Sequence, residues 1–180
     1  MAARRFDPHK LDVAALAAEA VRLEGEVDAD DLERWRAMQA PPVDVPLAPV
    51  RWQARGELRQ RSGVAPQVGL HLQASAEAWP VCQRCLQPFR LTVEVDRRFR
   101  FVATEGEAEA LDGDSDEDVL ALGPTFDLIG LIEDELVLAW PLVPRHAQCS
   151  QPAHQAGGEA AAQDGPFAAL AALKPRGDSP

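Results

Sequence analysis

Three stretches of the chain alternate apolar and polar side chains with a period of two, and that period is incompatible with a helix in any of them. Val50, Trp52, Ala54 and Leu58 alternate with Arg51, Gln53, Arg55, Glu57 and Arg59. After a turn at Ser62-Gly63, Val68, Leu70, Leu72 and Ala74 repeat the pattern against Gln67, His71, Gln73 and Ser75. A third stretch, Leu91, Val93 and Val95, continues through Arg97, Phe99 and Phe101, which puts Arg90, Glu94, Asp96, Arg98 and Arg100 on its polar side. Short connections and clean alternation predict antiparallel strands in a sheet with one wet face.

The flanking segments read as helical. Asp7-Pro8 has the form of an N-cap followed by a first-turn proline, and Leu11, Ala15, Ala18, Val21 and Leu23 would then line a helix ending near Gly25. Asp28, Asp30 and Asp31 introduce a second, short helix with Leu32, Trp35 and Met38. Pro41, Pro42, Pro46 and Pro49 then impose an extended connector. The strongest helical pattern runs over 127–140, with Leu128, Leu131, Ile132, Glu135, Leu136 and Ala139 on one side. Thr125 or Asp127 caps it, and Pro141 and Pro144 stop it.

Residues 105–118 are too acidic to bury and read as a mobile loop. Past residue 150, Ala, Gly and Gln predict a linker over 151–164, followed by a short segment, 165–180, in which Phe167, Leu170 and Leu173 fall at helical spacing. At 180 residues the chain suits one domain. The expected fold is α+β over 1–150: an antiparallel sheet or partly closed barrel, N-terminal helices, and one well-formed helix in the C-terminal half.

Charge narrows the function classes. The net charge is −11, yet residues 51–100 hold nine arginines against four acids, while residues 101–140 hold twelve acids and neither Lys nor Arg. Because the Debye length in cells is about 8 Å, a polyanion approaching the middle section feels mainly the local arginines. That keeps RNA as a partner, with Arg51, Arg55, Arg59, Arg97, Arg98 and Arg100 as candidate contacts; the alternative is a solvated arginine-rich strand face. No apolar run approaches the roughly 20 residues of a membrane span, and no signal-type apolar core follows the first five residues. Three cysteines argue against a disulfide framework. A cytoplasmic protein is expected.

Cys82-Gln-Arg-Cys85 together with His146-x-x-Cys149 supplies four ligands of the kind structural zinc prefers, with His154 as a spare. The alternative is a tight turn holding two free thiols. A redox Cys-x-x-Cys would need a strand-to-helix setting, whereas a strand follows here within six residues. The acids at 112, 114 and 116 lack the glycine and terminal glutamate of an EF-hand loop. Glu133, Asp134 and Glu135 point in different directions on a helix, and no phosphate loop, nucleophile elbow or zinc-protease motif is present. No enzyme is expected.

Val81-Cys-Gln-Arg-Cys-Leu-Gln-Pro-Phe89, then Phe126-Asp-Leu-Ile, Glu133-Asp-Glu-Leu-Val-Leu-Ala-Trp-Pro-Leu-Val-Pro-Arg-His146, then Gly165-Pro-Phe-Ala-Ala-Leu-Ala-Ala-Leu-Lys174 occur in this order. Together they resemble the YceD family, the bacterial large ribosomal RNA subunit accumulation proteins. The resemblance implies a non-enzymatic ribosome-biogenesis factor promoting the synthesis, processing or stability of large-subunit (23S) rRNA. Its partner would be that rRNA, its precursor or an rRNA-associated protein. Some relatives carry a second cysteine pair after the acidic helix, which implies a four-cysteine metal site; here His146 and Cys149 stand at that place. A second reading is a protein-interaction adaptor that uses the acidic 105–118 segment and the Phe/Leu segment without touching RNA.

Overall fold

The computed structural model describes residues 4–60, 63 and 66–149. In chain order these form α1 (Val13–Ala18), β1 (Arg22–Val27), a single 3-10 turn (Ala29–Asp31), α2 (Glu33–Ala37), β2 (Val50–Arg59), β3 (Gln67–Ala78), β4 (Leu91–Val102), α3 (Glu105–Asp112), β5 (Asp118–Ala121) and α4 (Leu128–Leu138). The strands lie side by side in the order β1-β2-β3-β4-β5. The first four are antiparallel neighbours, and β5 runs parallel to β4. The α+β class is as expected, and the sheet is open and mixed. The segments expected beyond residue 150, together with His154, lie outside the described residues.

The first expected helix divides. Only Val13–Ala18 is helical, capped by Asp12, whose carboxylate accepts from the Ala15 N–H at 2.9 Å. Residues 7–10 form a turn instead. Ala20, at a positive φ of 50°, ends the helical run, and the chain turns back as β1. Arg22, Glu24 and Glu26 there alternate with Leu23, Gly25 and Val27, a period-two pattern that the helical spacing of Leu11, Ala15 and Ala18 obscured. Gly25 lies opposite Trp52, and a Cβ at Gly25 would sit 2.9 Å from the indole ring.

The acidic stretch is also more ordered than a loop. Thr104 caps α3, β5 follows it, and the β4-α3-β5 crossover accounts for the one parallel pairing. Arginines of the sheet meet the end of this stretch: Arg97 donates to Asp118 at 2.7 Å, and Arg59 donates to Glu117 at 2.6 Å. The basic and acidic blocks of the sequence thus fold partly onto each other.

Helices α1, α2 and α4 occupy one face of the sheet, and their apolar residues form the core with the inward side chains of β2, β3 and β4. Leu16, Trp35, Leu70, Leu72, Phe99, Leu128, Ile132 and Leu136 are fully buried there. Asp127 caps α4 by accepting from the Ile129 and Gly130 N–H groups, each at 3.1 Å. Trp35 and Trp140 meet edge to face, with ring centroids 5.4 Å apart. Among the described residues no helix is long and apolar enough to cross a membrane.

The layers come close at Gly56, where an added Cβ would lie 2.5 Å from the backbone of Leu16. Backbone cannot rotate aside as a flexible side chain can, so Gly56→Ala must push α1 off β2. A destabilisation of about 1–3 kcal/mol is expected in denaturant titration. A loss below about 0.5 kcal/mol would contradict that packing.

A candidate metal centre and an open charged sheet face

The loop between β3 and β4 folds back on itself through a bridge between Val81 and Pro88. Within it the Cys82 N–H donates to the Gln87 carbonyl at 2.9 Å, and the Leu86 N–H donates to the Cys82 carbonyl at 2.9 Å. Leu86 takes a positive φ of 59° to close the turn, and the Arg84 N–H points at the Cys82 sulfur, 3.5 Å away. This turn aims both cysteine sulfurs the same way. The chain leaving α4 is brought alongside by the Gln83 N–H, which donates to the Pro144 carbonyl at 2.9 Å. The ring of His146 packs against Phe89 with centroids 4.6 Å apart.

The result is a cluster of four ligand atoms, from Cys82, Cys85, His146 and Cys149, all within 4.8 Å of one another. Cys82 Sγ lies 3.6 Å from Cys149 Sγ, and His146 Nδ1 lies 3.4 Å from Cys85 Sγ and 3.7 Å from Cys149 Sγ. A tetrahedral zinc with sulfur and nitrogen bonds of roughly 2.0–2.3 Å has ligand–ligand edges of about 3.4–3.8 Å. Three of the six ligand pairs thus have the spacing of such a tetrahedron, and the cluster joins residues more than sixty positions apart in sequence.

Electrostatics favours a thiolate there. Burial opposes ionisation of Cys82, but hydrogen bonds from His146 and from the backbone of Arg84 and Cys85 outweigh it and pull its pKa down to about 5. Cys149 is pushed up to about 11 by burial and by the neighbouring sulfurs of Cys82 and Cys85. Without a cation only part of the cluster can ionise, so a cation is the group that would let all the thiols do so together.

The second feature is the sheet face opposite the helices. Strand register arranges its side chains in rows across β1 to β4. Arg22, Arg55, His71 and Arg98 make one row, which spans about 14 Å at ordinary strand spacing. The next row is Glu24, Gln53, Gln73 and Asp96, and beyond it come Glu26, Arg51, Ser75 and Glu94. The face is thus divided, basic toward one end of the strands and acidic toward the other. A hydrogen-bonded ladder ties the rows together. Arg22 donates to Gln53, Gln53 to Gln73 at 3.3 Å, and Gln73 to Asp96 at 2.8 Å; His71 pairs with Asp96 at 2.7 Å. Hydrogen bonds from His71 and Gln73 hold the Asp96 carboxyl below its ordinary value.

The structure separates the six arginines singled out from the sequence. Arg97, adjacent to Arg98, points to the helix-covered face, where its Nε lies 3.4 Å from the buried carboxylate of Glu135. Burial pushes the Glu135 carboxyl up. Arg59 is held between Glu57 and Glu117 at 2.9 and 2.6 Å. Arg51 lies at the acidic end, opposite Glu26. Arg55, Arg98 and Arg100 remain at the basic end. Arg55 and Arg100 form no ion pair among the described residues, and Arg98 has only Glu57, at 3.9 Å. Arg22 joins them, with Glu24 at 3.7 Å; its signal was the Arg22/Glu24/Glu26 alternation.

Fold and clusters together define an α+β protein with an open, charge-divided sheet and a cysteine–histidine cluster that pins the chain after α4 to the sheet. Residues 70–174, more than half of the chain, match the family model described as large ribosomal RNA subunit accumulation protein YceD. The chain belongs to the YceD family. A curated relative from Haemophilus influenzae, the large ribosomal RNA subunit accumulation protein YceD, is 39% identical over 100 residues, covering 52% of this chain and 58% of the relative's length. No solved structure matches the chain.

Proposed function

We propose that this protein is a non-enzymatic ribosome-biogenesis factor acting in the cytoplasm, where it promotes the synthesis, processing or stability of large-subunit rRNA. It contacts that rRNA, or its precursor, through Arg22, Arg55 and Arg98, while Cys82, Cys85, His146 and Cys149 hold a structural zinc ion. The supporting observation is that, in a chain of this family, three arginines and His71 form a row across four strands. In that row Arg55 has no ion pair among the described residues, and Arg22 and Arg98 have only long ones, to Glu24 at 3.7 Å and Glu57 at 3.9 Å. The consecutive carboxylates of α4 are occupied: Glu133 and Asp134 pair with Arg34 of α2, and Glu135 faces Arg97. Metal-dependent RNA cleavage by the purified protein would overturn the non-enzymatic part.

The test is the ratio of large- to small-subunit rRNA, with precursors resolved, in cells lacking the protein. A selective fall in the large-subunit species is expected, restored by the wild-type chain and not by the Arg55→Glu/Arg98→Glu double variant. An unchanged ratio would remove the role. Full rescue by a stably folded double variant would remove the direct contact and favour the adaptor reading.

A further inference from the structure

We infer that the basic half of the open sheet face binds double-helical RNA rather than single strands, recognising the phosphate backbone and not the bases. This rests on the rRNA contact proposed above and specifies the form of RNA that is bound.

The first reason is what the face lacks. Sheet surfaces that hold single strands stack bases on aromatic rings, a gain of about 1–3 kcal/mol per base. The paired outward positions of β1 to β4 carry Arg, Glu, Gln, Asp, Ser, Thr, Gly and one His, with no Phe or Trp, and the chain contains no Tyr. The aromatic residues of these strands, Trp52, Phe99 and Phe101, are buried on the opposite face. The one outward ring, His71, is bound to Asp96 with its side chain 19% exposed. A base arriving here finds no open flat surface.

The second reason is the arrangement of charge. The row Arg22–Arg55–His71–Arg98 is flanked on one side by Glu24 and Asp96, so attraction is confined to a narrow band across the strands. Its arginines are pre-positioned, Arg22 by Gln53 and Arg98 near Glu57. A flexible single strand must lose conformational freedom to align its phosphates with a fixed band, and no stacking offsets that loss. A duplex is already rigid and has a higher density of phosphates, so the same three arginines yield more net binding.

The experiment compares a labelled 20-nucleotide strand containing only A and C, its G/U complement, and the duplex of the two, each titrated with the full-length protein at low salt. The duplex is expected to bind at least about tenfold more tightly than the A/C strand. The slope of log affinity against log salt should be about −3, from three phosphate contacts. Arg98→Glu, checked for an unchanged melting curve, should weaken duplex binding at least tenfold, while Arg51→Glu at the acidic end should leave it within about twofold. Equal or tighter binding of the A/C strand would overturn the inference while leaving the rRNA reading intact. Binding to neither probe would overturn both.

Discussion

Removing zinc from the purified chain is expected to lower its melting temperature by about 10 °C, and Cys82→Ser is expected to abolish stoichiometric metal binding. The cluster closes a loop from Cys82 to Cys149, and an ion bound only by the folded state stabilises it by mass action, by about 4 kcal/mol when free metal exceeds its dissociation constant a thousandfold. For a chain of this size each kcal/mol corresponds to roughly 2–4 °C. The core does not depend on the cluster, so the metal-free protein should still unfold cooperatively. Because thiols and imidazole must lose protons to bind, the added stability should be present at neutral pH and vanish on acidification. Metal content after reconstitution, with melting curves before and after chelation, decides the matter. Less than one zinc per chain together with an unshifted melting curve would remove the metal centre.

Glu133→Ala is expected to destabilise the protein by about 3 kcal/mol without altering its metal content. Helix α2 has no side-chain cap of its own, since its N-cap position is Leu32. Glu133 of α4 supplies the acceptors: its carboxylate receives the Arg34 N–H at 2.7 Å, the Trp35 N–H at 3.2 Å and the Arg34 guanidinium at 2.8 Å. Trp35 is fully buried, so truncating Glu133 leaves a backbone donor shielded from water as well as removing an ion pair. Burial opposes ionisation of Glu133, but these donors outweigh it and hold its carboxyl below the ordinary value. A depressed folded-state pKa means the contribution is complete above the ordinary carboxylate range and is lost as pH falls through the folded-state value. The difference between wild type and variant should therefore be largest at neutral pH and shrink in acid. Equal stabilities at neutral pH would contradict this role.

Much of the frame was legible from local pattern. The alternation in 50–59, 67–75 and 91–101 marked β2, β3 and β4, and the apolar spacing after Asp127 marked α4, because both signals depend only on which side of an element faces water. Where two patterns overlapped, the reading failed. Leu11, Ala15 and Ala18 continued smoothly into Val21 and Leu23, which hid β1 and, with it, Arg22. The acidic residues 105–118 do stay largely exposed, but they form α3 and the start of β5 rather than a loop. The Thr104 cap and the pairing of Glu117 and Asp118 with Arg59 and Arg97 act across distances that local charge does not show.

The sequence by itself determined the α+β class, the four candidate metal ligands and the presence of an arginine-rich section, since each follows from residue type and short-range spacing. Tertiary structure decided what those residues face. Alternation already separated Arg97 from Arg98 across the pleat, but only packing set Arg97, still half exposed, beside the buried Glu135 of α4. The crossover of β5 consumed part of the positive charge, and packing of α4 on α2 made Glu133 the cap of a helix 99 residues away. The closeness of Cys82 to Cys149 arises in the same way, because ion pairs, caps and ligand clusters depend on distances in space that only the closed sheet-and-helix packing sets.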